Sequence, residues 1–263
     1  PLAPASGRLY LHTSPEFAMK RLLAAGSGSI YQLCRVFRDG EAGARHNPEF
    51  TLLEWYRVGY ALPQLIDEVE ALLRGVLAGI RELPPPERLS YRELFRRYAR
   101  LDGLTATAAE LRACLEAHGH RAPEGMDATD LDAWRDLVLT HVIEPRLTGL
   151  VFVDDYPASQ ASLARLRAGE PPVAERFECY LDGVELANGF HELADAADQR
   201  RRFEQDNRAR ANAGRPCMPL DAALLAALHA GLPDCCGVAL GFDRLMMAAA
   251  DATRIDAVLA FPV

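Results

Sequence analysis

The chain has 263 residues, 49% of them apolar, and carries 29 Lys and Arg against 37 Asp and Glu, a formal net charge of −8. That length fits one large domain or a domain with an appendage, and the acidic balance argues against a general polyanion binder, because each phosphate contact recruits a Lys or Arg. No apolar run approaches the roughly 20 residues of a membrane span, and no basic-then-apolar signal segment opens the chain. The six cysteines form no C-x-x-C pair and lack the spacing of a structural zinc site, so they read as reduced thiols of a cytoplasmic protein. The opening "PLAPASGRLYLHTSPEF" enters mid-pattern without an initiator Met, and the natural N-terminus is expected upstream.

In chain order, Gly7 to His12 reads as a short strand. "SPEFAMKRLLAAGSG" reads as a helix capped by Ser14, with Pro15 at its first position and Gly26 past its end. Residues 30–38 and 50–58 read as antiparallel strands joined by a charged loop. Leu65, Ile66, Val69, Leu72, Leu73, Val76 and Leu77 then make one helical stripe. "ELPPPERLS" reads as a linker, and a mainly helical insertion is expected over about 84–148. "LVFVDDYP" reads as a buried strand entering a turn, and 174–192 as a hairpin turning at Asp182-Gly183. A very polar helix follows near 196–213, stopped by Gly214 and Pro216. Finally, "GVALGFDRLMMAAA" reads as a strand running into a helix.

Three stretches gather chemistry. On strand 50–58, Phe50, Leu52, Glu54 and Tyr56 share one face. If the hairpin brings Arg38 beside them, that face offers a cation, an aromatic plate and an anion; the alternative is a solvated face with surface ion pairs of little worth. On the second hairpin, Glu178 and Glu185 flank the turn, a spacing of hard oxygen ligands that suits Mg²⁺ with phosphate completing the shell. Asn188, Phe190 and Glu192 share a face there, and bringing Glu185 to it requires a bulge near Ala187. The alternative is two unrelated surface glutamates. In "GVALGFDR", Gly237, Ala239 and Gly241 make a floor of small residues. Arg244 follows in a helical first turn, where the dipole favours anions, so a phosphate partner would justify the cation.

Taken together, "FRDGE…RHNPEFTLLEWY" resembles the second signature of class II aminoacyl-tRNA synthetases of the lysine type. "GVALGFDR" resembles the third, and "ERFECYLDGVELANGFHEL" the magnesium- and lysine-binding hairpin between them. "TSPEFAMKRLLAAG", "YPASQASLA", "RFEQDNR" and "PDCCGVALGFDRL" extend the resemblance over essentially the whole chain, closest to the elongation factor P–(R)-β-lysine ligase family, paralogues of lysyl-tRNA synthetase. The resemblance implies an α+β fold, a class II synthetase-type antiparallel sheet flanked by helices. It implies that Arg38 holds the α-phosphate and activated carboxyl, and that Asp39, Gly40, Glu41, His46 and Asn47 form the loop over ATP. Phe50 would stack on adenine, Glu178 and Glu185 would carry Mg²⁺, and Leu186, Gly241 and Arg244 would line the nucleotide side. The amino acid would meet Ser14, Pro15 and Glu16, then Glu54, Tyr56, Asn188, Glu192 and Ala239. A carboxylate at Glu192 suits an ε-ammonium. Where lysyl synthetases carry a loop Glu, this chain has Gly40, and the role passes to Glu41. Ala239 stands where they have Gly, narrowing the pocket floor.

The resemblance further implies a two-step ligase that joins (R)-β-lysine or lysine to a lysine side chain of elongation factor P, with ATP and Mg²⁺. It implies a homodimer in the full-length protein, since the first, dimer-forming signature would precede this chain. The acidic charge argues against tRNA as the acceptor, and no membrane partner is expected. The alternatives are a lysyl-tRNA synthetase catalytic core and a catalytically silent paralogue that binds or senses. The polar helix carries Arg200, Arg201, Arg202, Arg208 and Arg210, which read either as a solvated face or as part of a docking face for the protein acceptor.

Overall fold

The computed structural model describes residues 10–263. Gly7–Leu9 of the expected first strand lie outside the described residues. Tyr10–His12 are irregular, although the His12 carbonyl accepts a hydrogen bond from Phe37 N at 3.0 Å. Helix α1 (Glu16–Ala24) has Pro15 at its cap position. Ser14 still serves the expected purpose, its Oγ accepting from Glu16 N at 2.9 Å, and Gly26 leaves the helix at φ +86°. Strands β1 (Ile30–Phe37) and β2 (Glu49–Val58) pair antiparallel, with Val36 opposite Phe50 and Gln32 opposite Glu54. Helix α2 (Leu62–Leu77) buries Leu65, Ile66, Val69, Leu73 and Leu77; Val76, at the stripe's margin, is exposed.

The linker reading is half right. After its three prolines, β3 (Glu87–Ser90) forms an edge strand, with Leu89 buried and its residues paired parallel to β4 (Leu150–Pro157). Between them lie α3 (Tyr91–Tyr98), α4 (Ala108–Ala117) and α5 (Leu131–Val138). Ser90 with Glu93, and Thr107 with Glu110, close reciprocal capping boxes on α3 and α4. These helices bury Tyr91, Phe95, Leu111, Trp134 and Val138 in one cluster with Val151, Val153 and Tyr180 of the sheet.

A two-residue strand β5 (Leu166–Arg167) pairs with β6 (Val173–Leu181), which turns into β7 (Val184–His191) at Asp182 (φ +48°) and Gly183 (φ +72°). Helix α6 (Ala196–Asn212) is the polar helix. Helix α7 (Ala222–Gly231), unforeseen in the sequence reading, buries Leu224, Leu225 and Leu228 and packs near α1. Strand β8 (Cys235–Gly241) runs straight into α8 (Phe242–Ala249). The sheet order is β1-β2-β8-β7-β6-β4-β3, antiparallel except for the β3–β4 pair, with β5 beside β6. Trp55, Val238, Leu240 and Leu186 pack on α2 and α8 across one face. The opposite face of β2, β8 and β7 stays open as a cleft.

Gly183 shows how tightly this hairpin is seated. A Cβ there would lie 2.1 Å from the Glu144 carbonyl oxygen, on a backbone already in the left-handed region. Gly183→Ala is expected to lower unfolding stability by about 2 kcal/mol or more. Denaturant unfolding checks this, and an unchanged midpoint would contradict the packing described.

Candidate active site

The floor of the cleft follows from strand register. Leu52 pairs with Gly241, Glu54 with Ala239 and Tyr56 with Gly237 on one side of β8; Asn188 pairs with Ala239 and Phe190 with Gly237 on the other. Alternation sends all these side chains to the same face. The small residues of β8 leave a trough between taller neighbours. At Gly237 the requirement is strict, since a Cβ would fall 2.3 Å from the Tyr56 ring and 2.4 Å from Glu192 Oε1. The cleft encloses about 350 Å³, within the range of small-molecule sites.

Glu185 reaches this face by the expected device. Cys179 pairs with Ala187 but Tyr180 pairs with Glu185, so Leu186 is an extra residue on β7. The Leu186 side chain enters the core at 2% exposure, and Glu185 joins Asn188 on the cleft side.

One end of the cleft is cationic and aromatic. The Arg38 guanidinium lies 5.1 Å from the Phe50 ring centroid, donates to the Thr13 carbonyl at 3.3 Å and stands 3.7 Å from Glu41. Arg244 donates to the Glu185 carbonyl at 2.8 Å, sits 3.3 Å from Glu185 Oε2, and reaches His46 Nε2 at 2.7 Å. Burial and then the Arg244 charge push the His46 pKa down, which keeps the imidazole neutral as the acceptor of that bond. Asn47 is buried and spends its amide on the Glu49 carbonyl and Val263 N, pinning the charged loop to the C-terminal residues.

The other end is acidic. Glu54 accepts from Ser14 Oγ at 2.6 Å and Tyr56 Oη at 2.7 Å. Burial, then the neighbouring Glu16 charge, raises its pKa to about 7 despite these donors. Burial raises Glu192 to about 8, opposed by Lys20. Lys20, buried beneath Glu16 and Glu192, pairs with both. At the centre, burial and the Glu178 charge raise Glu185.

Ser14, Glu16, Arg38, Glu41, His46, Asn47 and Phe50 all line the cleft. So do Glu54, Tyr56, Glu185, Leu186, Asn188, Glu192, Ala239, Gly241 and Arg244. Pro15, Asp39 and Gly40 do not; Pro15 occupies the cap position before α1, and Gly40 turns the loop at φ +79°. Glu178 lies one layer deeper. Its carboxylate accepts from Tyr156 Oη at 2.6 Å and from Tyr180 and Arg176, with Asn188 Nδ2 at 3.5 Å.

Sequence reasoning missed Lys20, Ser162, Asp243 and Ile255. Asp243 takes Thr51 N at 2.5 Å and so fixes α8 against β2, while Ser162 enters the cleft from a turn at φ +50°. Only an Asp in the first turn of a helix and a loop Ser hinted at these. The polar helix is tied inward: Arg201 and Arg202 both pair with Asp198, and Arg202 also donates to the carbonyls of Ser162 and Ala164.

The sequence matches the family model of class II tRNA synthetases (D, K and N) over residues 3–263. This chain belongs to that family. It is 49% identical to a Mannheimia succiniciproducens protein over 265 residues, covering 100% of this chain and 80% of the relative. It is 53% identical to an Edwardsiella ictaluri protein and 52% to one from Klebsiella pneumoniae subsp. pneumoniae, each over 97% of this chain and 78% of the relative. All three relatives are named elongation factor P–(R)-β-lysine ligase. Among the described residues no helix is long and apolar enough to cross a membrane.

The raised Glu54 pKa has a consequence for stability. The folded state keeps this proton to about pH 7 while the unfolded chain loses it near 4.5, so ionisation costs stability progressively as pH rises between those values. Glu54→Gln lacks that cost. Its stability relative to the parent is expected to rise by about 1–3 kcal/mol from pH 5 to pH 8. Denaturant midpoints at both pH values measure this, and a difference independent of pH would contradict it.

Proposed function

We propose that this protein activates (R)-β-lysine, or lysine, with ATP and transfers it to a lysine side chain of elongation factor P in the cytoplasm. The observation that carries the proposal is one cleft with a phosphate-seeking cationic end and a carboxylate-lined end, joined across a floor of small residues. In the first step an amino-acid carboxylate oxygen attacks the α-phosphorus, the bond to pyrophosphate breaks, and an aminoacyl-adenylate remains. In the second an acceptor ε-amine attacks the acyl carbon, AMP leaves, an amide forms, and the amine proton passes to solvent.

Arg38, with its side chain 39% exposed toward the cleft, neutralises charge at the α-phosphate, where it grows in the transition state. Phe50 offers its ring to adenine once the Arg38 guanidinium turns to phosphate. Arg244 holds the loop through His46 and serves the γ-phosphate side. Glu54, Glu192 and Asn188 orient the amino acid, so rate comes from positioning and charge neutralisation. No covalent nucleophile is needed.

Among the described residues no three His, Cys, Asp or Glu side chains gather as a metal cage. Mg²⁺ commonly takes one or two carboxylates plus substrate phosphates, and the donors here fit that mode. Glu185 would hold the ion from the cleft wall, with Glu178 behind it fixing Asn188 and Arg176. Bound there, Mg²⁺ would neutralise phosphate charge. The acceptor is read as protein rather than tRNA on the net charge of −8. A homodimer is part of the reading; edge strand β1 leaves Tyr31 75% and Leu33 51% exposed.

The test has two parts. Pyrophosphate exchange into ATP that depends on β-lysine or lysine is expected, and its absence would leave a silent paralogue. Elongation factor P and tRNA offered together should yield labelled protein; labelled tRNA alone would make this a lysyl-tRNA synthetase core.

Ala239 lies in register between Glu54 and Asn188, its methyl on the pocket floor. Moving an amino group from the α to the β carbon changes the ligand's reach by about one bond, and one methylene is worth roughly 10- to 200-fold in kcat/KM. Ala239→Gly is expected to shift preference toward α-lysine within that range, with ATP affinity little altered. An unchanged β-to-α ratio would make Ala239 merely floor.

A further inference from the structure

Lys20 is 1% exposed, yet it is a charged side chain on the buried face of an otherwise ordinary amphipathic helix. Its Nζ donates to Glu16 Oε1 at 2.7 Å and makes an ion pair with Glu192 Oε2 at 2.5 Å. Apart from that ammonium no donor meets Glu192 Oε2, although the residue is only 4% exposed and faces the cleft. Around this ammonium stand Glu16 on α1, Glu54 and Tyr56 on β2, Glu192 after β7, and the Cys235 thiol on β8.

We propose that Lys20 is the resident counter-ion of the amino-acid pocket: its one buried ammonium offsets one of the three carboxylates Glu16, Glu54 and Glu192, and the pocket is completed by a ligand that brings two ammonium groups. The proposal rests on the reading that this cleft binds a diamino acid. Glu192 is the hydrogen-bond acceptor that Lys20 holds ready, so Lys20 acts as a positioning residue through Glu192 rather than by touching the reacting atoms. An isolated buried carboxylate is driven to its neutral form. Three carboxylates share one ammonium, which contacts Glu16 and Glu192 but not Glu54, so the excess negative charge should be held down by protons in the empty pocket and those protons lost when the ligand arrives. The raised pKa values of Glu54 and Glu192 agree with that geometry.

Two measurements test this. Calorimetric titration of the parent protein with lysine at pH 7, in buffers of different ionisation enthalpy, should show net proton release on binding. A binding enthalpy independent of the buffer would overturn the proposal without any variant. The near-isosteric Lys20→Met should then move the acid limb of the kcat/KM profile for the amino acid, read by pyrophosphate exchange, upward by about 1–3 pH units, with KM for ATP retained. A drop in kcat/KM of the same factor at every pH would assign Lys20 to packing and overturn the proposal alone. A parent that neither binds nor activates any diamino acid would overturn the reading beneath it, and this proposal with it.

Discussion

Side chains on neighbouring strands share a face only while the pairing keeps its period of two, and the cleft depends on that period across β2, β8 and β7. With Glu54 and Asn188 both opposite Ala239, anion, amide and methyl converge without any loop having to place them. The same parity would send Glu185 into the core. One additional residue, Leu186, reverses it: the leucine takes the apolar side, and the carboxylate takes the cleft beside Arg244. A single backbone irregularity thus joins the two ends of the site. The seat of that hairpin, Gly183 against the Glu144 carbonyl, is correspondingly intolerant of a side chain.

Charge is graded along the cleft by what surrounds each group. At the loop end, Arg38 is half-exposed, so it can turn toward a phosphate at little desolvation cost, while the more buried Arg244 is held by Glu185 and His46. At the amino-acid end the carboxylates are buried and outnumber the ammonium of Lys20, which leaves a demand for positive charge that water cannot meet. Between them the floor is made of glycine and alanine, where bulk would collide with Tyr56 and Glu192. A ligand with ammonium groups at one end and phosphate at the other answers all three conditions.

Much of this was legible in the residues. Alternation on 50–58 and 237–241 is local, as are the Asp182-Gly183 turn and the α2 stripe, and each survives folding because one face is buried. The need for a bulge was legible too, since Glu185 and Asn188 have opposite parity in the bare sequence. What was hidden depends on partners distant along the chain. The prolines before β3 masked a strand that exists only because β4 accepts it on its edge. Lys20 drew no notice in the sequence, because the Glu192 that pairs with it lies far along the chain. The sequence paired Glu178 with Glu185 as carboxylates for Mg²⁺, and could not show that Tyr156, Tyr180 and Arg176 also bond to Glu178. The α6 arginines read either as a solvated face or as part of a docking face, and the sequence could not show that Asp198 and the Ser162–Ala164 turn engage two of them.

One ligand should span both ends of this cleft. A crystal structure with a non-hydrolysable sulfamoyl analogue of the lysyl-adenylate tests it most directly. The adenine is expected against Phe50, the sulfamoyl group beside Arg38, and the ligand's side-chain ammonium within hydrogen-bonding distance of Glu54 or Glu192. An analogue seated with its ammonium away from both carboxylates, or bound outside the β2–β8–β7 floor, would contradict it.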